Sequence, residues 1–101
     1  MKIRIGYGLG TGSTTTDPGR FGALVDNLER LRFDSLWLSE RVNGPALDPV
    51  VGMTFAIART ERLKVGASVM VLPGRNPVLL AKTMASLDRL SNGRVLPAFG
   101  L

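Results

Sequence analysis

The chain has 101 residues, 45% of them apolar, which suits one globular domain with a modest core and excludes a disordered chain. Thirteen Lys and Arg against eight Asp and Glu leave a formal charge of +5. The cations are scattered along the sequence without the interleaved aromatics of a nucleic-acid groove, so no nucleic-acid partner is expected. With no Cys and no His there is no disulfide framework, no thiolate chemistry and no imidazole ligand, and a metal site is not expected.

The first residues, Met1-Lys2-Ile3-Arg4-Ile5-Gly6, enter a strand directly and lack the long apolar core of a signal peptide. No run reaches the roughly 18 apolar residues of a membrane span, so a cytoplasmic protein with no membrane partner is expected. The first strand spans residues 3–9 and dissolves into Gly6, Gly8, Gly10 and Gly12, a spacing that lets backbone approach a ligand or a packed neighbour closely. It is no dinucleotide fingerprint, because Thr11 or Ser13 stands where the third glycine should be, and no Lys follows to make a phosphate loop.

Thr14-Thr15-Thr16 leads into Asp17-Pro18, after which Phe21, Leu24, Val25, Leu28 and Leu31 form one apolar helix stripe. Residues 35–38, Ser-Leu-Trp-Leu, have the nearly continuous apolar character of a strand covered on both faces. Asp48-Pro49 starts a second helix running to about residue 59, and residues 63–72 form a third strand. Asn76-Pro77 starts a third helix with Leu79, Leu80, Met84, Leu87 and Leu90 on its stripe. Ser91-Asn92-Gly93 closes it with a left-handed cap, and residues 94–99 form the fourth strand.

The three Asp-Pro or Asn-Pro starts share one physical cause. The Asp or Asn side chain accepts from free amides of the first turn, and Pro gives up an amide that has no intrahelical partner. Strands recur in steps of about thirty residues, the length of one strand-helix unit in a parallel sheet. Crossovers between parallel strands are right-handed, so the units coil in one sense, and the near-constant repeat favours a barrel arc. The expected fold is α/β: a partial (β/α) TIM barrel of four parallel strands and three helices, one domain over residues 1–101.

From Leu63-Lys64-Val65-Gly66-Ala67-Ser68-Val69-Met70-Val71-Leu72-Pro73-Gly74-Arg75-Asn76-Pro77, through Leu80-Ala81-Lys82, to Leu87-Asp88-Arg89-Leu90-Ser91-Asn92-Gly93-Arg94, the chain resembles the luciferase-like monooxygenase superfamily of flavin- and coenzyme F420-dependent TIM barrels. Asp34-Ser35-Leu36-Trp37-Leu38-Ser39-Glu40 fits its second strand, and the similarity extends over essentially all residues as the N-terminal half of the family barrel. The Ser-Glu-Arg ending of strand two and the Val-Leu-Pro-Gly-Arg-Asn-Pro turn are more similar to F420-dependent oxidoreductases than to bacterial luciferase.

The resemblance implies hydride transfer between F420 and a small organic substrate, with FMN-dependent monooxygenation as the alternative and a non-catalytic half-barrel, a folding or assembly module, as a third reading. Sites in such barrels assemble at the carboxyl ends of the strands. It follows that Gly8, Gly10, Ser68, Val69 and Met70 are the expected cofactor-binding residues. Glu40 is the candidate for orienting substrate or exchanging a proton, with a salt bridge to Arg41 or Arg75 as its structural alternative, and Ser39 and Asn43 are expected to face substrate. Ser68-Val69 matches the family's cis-peptide bulge, so strand three is expected to deviate there. Trp37 either walls a ring pocket or fills core, and Arg75 either meets a phosphate or stays a turn residue.

TIM-barrel phosphate sites commonly lie in the loops after strands seven and eight, so the 101-residue chain by itself is expected to bind cofactor weakly or not at all and to be inactive. A homodimer is expected, either by edge-to-edge pairing of half-barrels or through helices two and three, with Gly52, Phe55, Ala56, Ala81 and Ala85 as the contact surface.

Overall fold

Each helix start is capped as its local sequence dictates. A computed structural model describes residues 1–12 and 17–101; the Thr14-Thr15-Thr16 lead lies outside the described residues. Asp17 accepts from the Arg20 amide at 2.8 Å ahead of α1 (Pro18–Arg30). Asp48 accepts from Val51 at 3.0 Å ahead of α2 (Pro49–Ala58), and Asn76 from Val78 and Leu79 ahead of α3 (Pro77–Leu90). At the far end of α3, Asn92 (φ 56°) and Gly93 (φ 76°) make the left-handed exit, and the Gly93 amide donates to Asp88 O at 2.8 Å.

Strands β1 (Gly6–Leu9), β2 (Ser35–Leu38), β3 (Lys64–Ala67) and β5 (Val95–Leu96) form one parallel sheet in that order. Side-chain alternation divides its two faces. Leu36, Leu38, Val65, Ala67 and Val95 point to the helices, where they meet Phe21, Val25 and Leu28 of α1, Met53, Ala56 and Ile57 of α2, and Leu87 of α3 in one buried cluster. Fully burying an aliphatic side chain of this size contributes about 1.5–3 kcal/mol, so this face is the main source of stability. Gly6, Gly8, Ser35, Trp37, Gly66 and Leu96 point to the opposite face, the inside of the arc.

Two of the four expected strands are interrupted. The third breaks after Ala67 and resumes as β4 (Met70–Val71); the fourth breaks after Leu96, at Pro97, and resumes as β6 (Phe99–Gly100). The resumed halves pair with each other, Met70 with Phe99 and Val71 with Gly100, in a separate two-stranded sheet. Proline cannot donate a ladder hydrogen bond, which accounts for the second interruption. The first strand is also shorter than expected. Residues 1–5 lie outside it, and Ile5 donates its amide to the Asp34 carboxylate at 2.7 Å while its carbonyl accepts from the Asp34 amide at 2.8 Å.

The helix stripes are buried unevenly. Leu31 lies past the end of α1 and is exposed, as are Leu79 and Leu90 on α3, which contributes only Leu87 to the fully buried cluster. Gly52 and Ala56 face the sheet: a Cβ on Gly52 would meet Leu38 Cδ1 at 2.7 Å. These two residues pack this chain's own core, so of the expected contact surface only Phe55, Ala81 and Ala85 remain exposed.

The amino-terminal end of the sheet is closed by two charged side chains that no local pattern announces. Arg94 donates to Ser91 O, Thr60 O, Leu63 O, Ile57 O and Thr60 Oγ1 at 2.7–3.2 Å, joining the exit of α3 to the segment between α2 and β3. Glu29 accepts from the amides of Glu61, Arg62 and Leu63, fastening the turn that enters β3 to the end of α1. Burial pushes the Glu29 carboxyl up, but those three amides and the Arg62 guanidinium outweigh it and hold the group below the ordinary glutamate value of 4.5. Because the folded value is the lower one, its stabilisation is complete above that ordinary value and is lost as pH falls through the folded value. Glu29→Gln should therefore lower stability by about 1–3 kcal/mol at neutral pH. Urea unfolding should show the gap between wild type and variant closing as pH falls below the ordinary value of 4.5 and through the lower folded value; a gap that stays constant would exclude the carboxylate as its source.

Candidate functional site

At the end of β2, Ser39 and Glu40 do with side chains what a longer strand would do with backbone. The ladder between β2 and β3 runs as far as the Ser68 amide, which donates to Leu38 O at 2.7 Å. Beyond that point the Ser39 hydroxyl donates to Ser68 O at 3.3 Å, and the Val71 amide donates to Glu40 Oε1 at 2.6 Å. On the side facing β2 the Ser68 carbonyl and the Val71 amide are thus satisfied by side chains, while Met70 and Leu72 donate to Ala98 O and Gly100 O on the other side. The Ser68–Val69 peptide between them is cis, so the third strand deviates from regular geometry at the expected pair.

The second oxygen of Glu40 pairs with the Arg75 guanidinium, whose Nε donates to Val71 O at 2.8 Å. Arg75 also lies 3.8 Å from Asp48, the cap of α2. The Glu40 side chain is 6% exposed and both its oxygens meet protein partners. Of the two salt bridges open to it in the sequence, the one to Arg75 forms. Arg75 is likewise committed to the clamp.

On the inner face the carboxyl ends of β1, β2 and β3 border an open basin of about 560 Å³ lined by Gly6, Gly8, Leu9, Gly10, Trp37, Ser39 and Ser68. Gly8 and Gly10 have no atom within 4 Å of where a Cβ would stand, so their backbone is open to a flat ligand. Trp37 lies across the base of the basin. A Cβ on Gly6 would meet the indole at 3.1 Å and one on Gly66 at 2.8 Å, so these glycines make room for the ring on either side. The indole Nε1 donates to Ser35 Oγ at 2.9 Å.

The structure thus brings Gly8, Gly10, Ser39 and Ser68 together around one space. Val69 is 45% exposed beside the break. Met70 is fully buried in the core, so its side chain does not reach the basin, and Asn43 lies on an exposed turn outside its lining. Trp37 is the lining residue left undecided by sequence, and Gly66 was not singled out at all. The period-two alternation that puts Ser35, Trp37 and Ser39 on one face carried that information. Among the described residues, no group of three or more His, Cys, Asp or Glu could hold a metal ion, and no helix is long and apolar enough to cross a membrane.

The profile of the luciferase-like monooxygenase family matches residues 2–100. The chain is 40% identical over 76 residues to limonene 1,2-monooxygenase of Rhodococcus erythropolis, covering 72% of this chain and 20% of that protein. It is 30% identical over 90 residues to an F420-dependent glucose-6-phosphate dehydrogenase of Kineococcus radiotolerans, covering 82% and 27%. The fold matches that of the F420-dependent tetrahydromethanopterin reductase of Methanopyrus kandleri with a TM-score of 0.80 at 23% identity, over 99% of this chain and 27% of that one. The chain therefore spans about a quarter of the length of these relatives.

Glu40→Ala should cost about 3 kcal/mol, at the lower end for a broken buried pair because Arg75 is 24% exposed and can rehydrate. Glu40→Gln, which keeps an acceptor for the Val71 amide, should cost markedly less in the same thermal or urea unfolding measurement. Gly66→Ala should cost about 1–3 kcal/mol by overpacking against Leu96 O and Trp37, whereas Gly8→Ala should stay within about 0.5 kcal/mol of wild type.

Proposed function

The chain belongs to the luciferase-like monooxygenase family, and on that premise we propose that it forms the ring-binding part of an oxidoreductase that transfers a hydride between coenzyme F420 and a small organic substrate. The observation that carries this reading is the open basin at the carboxyl ends of the strands, where Gly8 and Gly10 expose backbone with no side chain in front of it. Backbone without Cβ atoms beside a flat indole fits a planar fused ring.

When bound, the deazaflavin supplies the two-electron chemistry. The chain's own residues orient and shield. Gly8 and Gly10 let the ring lie close, Val69 presents an apolar contact at its edge, and the Met70 segment is held in place through its buried side chain. The Ser39 hydroxyl, already committed to Ser68 O, fixes the local backbone and faces the space a substrate would take. Asn43 meets a substrate that extends past the rim. Glu40 acts as a positioning residue, holding Val71 and Arg75 and thereby the segment behind the ring.

FMN-dependent monooxygenation is the second reading, favoured by the 40% identity to a monooxygenase. The ring would occupy the same basin. Fluorescence titration of the chain with F420 and with FMN tests both. Saturable binding weaker than micromolar is expected, and Gly8→Val should abolish it while leaving thermal unfolding unchanged. Substrate reduced or oxidised anaerobically with F420 supports hydride transfer; oxygen uptake coupled to substrate with reduced FMN selects the second reading. Failure of lumiflavin, a ring compound without a phosphate tail, to bind at any attainable concentration would defeat the ring site and leave the half-barrel assembly module.

The homodimer is proposed on the exposed side of α3, where Val78 and Leu79 lie in water, rather than through Gly52 and Ala56. Sedimentation equilibrium should show a dimer that Leu79→Lys dissociates. A variant at Phe55 reports less cleanly, because that ring also packs on Phe21 at 5.5 Å and under Arg59 at 5.1 Å.

A further inference from the structure

Below Trp37, at the amino-terminal end of the same inner face, lies a second basin of about 400 Å³ lined by Lys2, Arg4, Asp34, Trp37, Arg62 and Lys64. The cations are far apart in sequence, at positions 2, 4, 62 and 64, and the parallel register that sets β1, β2 and β3 side by side brings them together. Cations scattered along the sequence are thus gathered at this end of the sheet. Arg62 is partly committed, donating to Phe33 O and Glu29 O. Lys2, Arg4 and Lys64 have no hydrogen-bond or ion-pair partner among the described residues. The one carboxylate lining the basin, Asp34, already accepts from the Ile5 amide at 2.7 Å. Asp34 offsets one of these charges and Glu29, 3.8 Å from the Arg62 guanidinium, a second, which leaves a local excess of two positive charges around the basin.

We propose that this amino-terminal basin is a binding site for a small oligophosphate, separate from the ring basin above Trp37. Lys2 and Lys64 supply compact ammonium charges that meet phosphate as point charges, and Arg4 supplies a planar fork that meets two phosphate oxygens at once. Trp37 closes the inner end of the space and excludes water from one side of the bound anion. Concentrated like charge around a concave, partly low-dielectric wall also raises the local concentration of anions, an effect that weakens as salt shortens the screening length.

The basin carries its own reporter, since Trp37 is the sole tryptophan of the chain. Its emission is to be quenched in parallel by iodide, caesium and acrylamide at low ionic strength, with inorganic pyrophosphate as the competing ligand. Iodide should quench on the order of three-fold more strongly than caesium. Pyrophosphate should protect against iodide and lose that protection as salt is raised. The double variant Lys2→Glu with Lys64→Glu should remove both the iodide preference and the protection while leaving acrylamide quenching unchanged, which shows that the fold and the accessibility of Trp37 persist. Should acrylamide quenching change, the milder pair Lys2→Gln with Lys64→Gln is measured instead, with the same loss of protection expected. Equal quenching by iodide and caesium in the wild type, or pyrophosphate protection that survives in the folded variant, would overturn the site.

Discussion

The carboxyl end of this sheet depends on the carboxylate of Glu40. One oxygen receives the Val71 amide and the other the Arg75 guanidinium, and Arg75 returns a hydrogen bond to Val71 O. A strand that leaves its neighbour exposes backbone groups that must find partners, and here the partners are Ser39 and Glu40, the first side chains after β2. That substitution lets β3 end at Ala67 and β4 start at Met70, with Ser68 between them lining the basin. The same guanidinium lies near the cap of α2, so the clamp joins the loop after β2, the turn before α3 and the start of α2. Removing one member of a buried pair leaves the other uncompensated, which is why a single carboxylate can govern three connections.

The inner face follows from one large side chain set among small ones. Trp37 spreads across the sheet because Gly6 and Gly66 leave no Cβ to obstruct it, and the space that Gly8 and Gly10 leave above it stays open. The indole consequently divides the face into two basins of different character. The upper one is lined by glycine, serine and leucine beside the indole and suits a flat, weakly polar ligand; the lower one carries four Lys and Arg side chains against the single carboxylate of Asp34, with Ser35 and Leu96 completing its wall, and suits an anion. Neither basin alters the helix-covered face, whose buried cluster holds the sheet regardless of what the inner face binds.

Stabilising contacts at the two ends of the sheet are organised alike. At the amino end Glu29 collects three consecutive amides and Arg94 collects carbonyls from the end of α2, while at the carboxyl end Glu40 and Arg75 do the corresponding work. In each case a side chain about thirty residues away, one strand-helix unit along, satisfies the turn of its neighbour. The repeat that is visible as three Asp-Pro or Asn-Pro starts is therefore matched by a repeat of cross-unit bonds, which ties successive units together more firmly than packing alone.

What the sequence by itself determined is what depends on near neighbours. The helix starts at Pro18, Pro49 and Pro77, the left-handed exit at Asn92 and Gly93, and the parallel order of the sheet all follow from side chains acting within a few residues or from the handedness of a crossover. The family motif around Ser68 and Val69 located the irregular strand as well. Only the tertiary structure decided how long each strand runs, because a strand ends where its partner does, and the partner lies thirty residues away. It also decided that Met70 and Gly52 serve the core, that Glu40 is taken by Arg75 and not Arg41, and that Lys2 and Lys64 stand around one space. Those outcomes are set by register between strands and by which face of a pleated sheet a residue occupies, quantities that a linear pattern of charge and hydropathy does not contain.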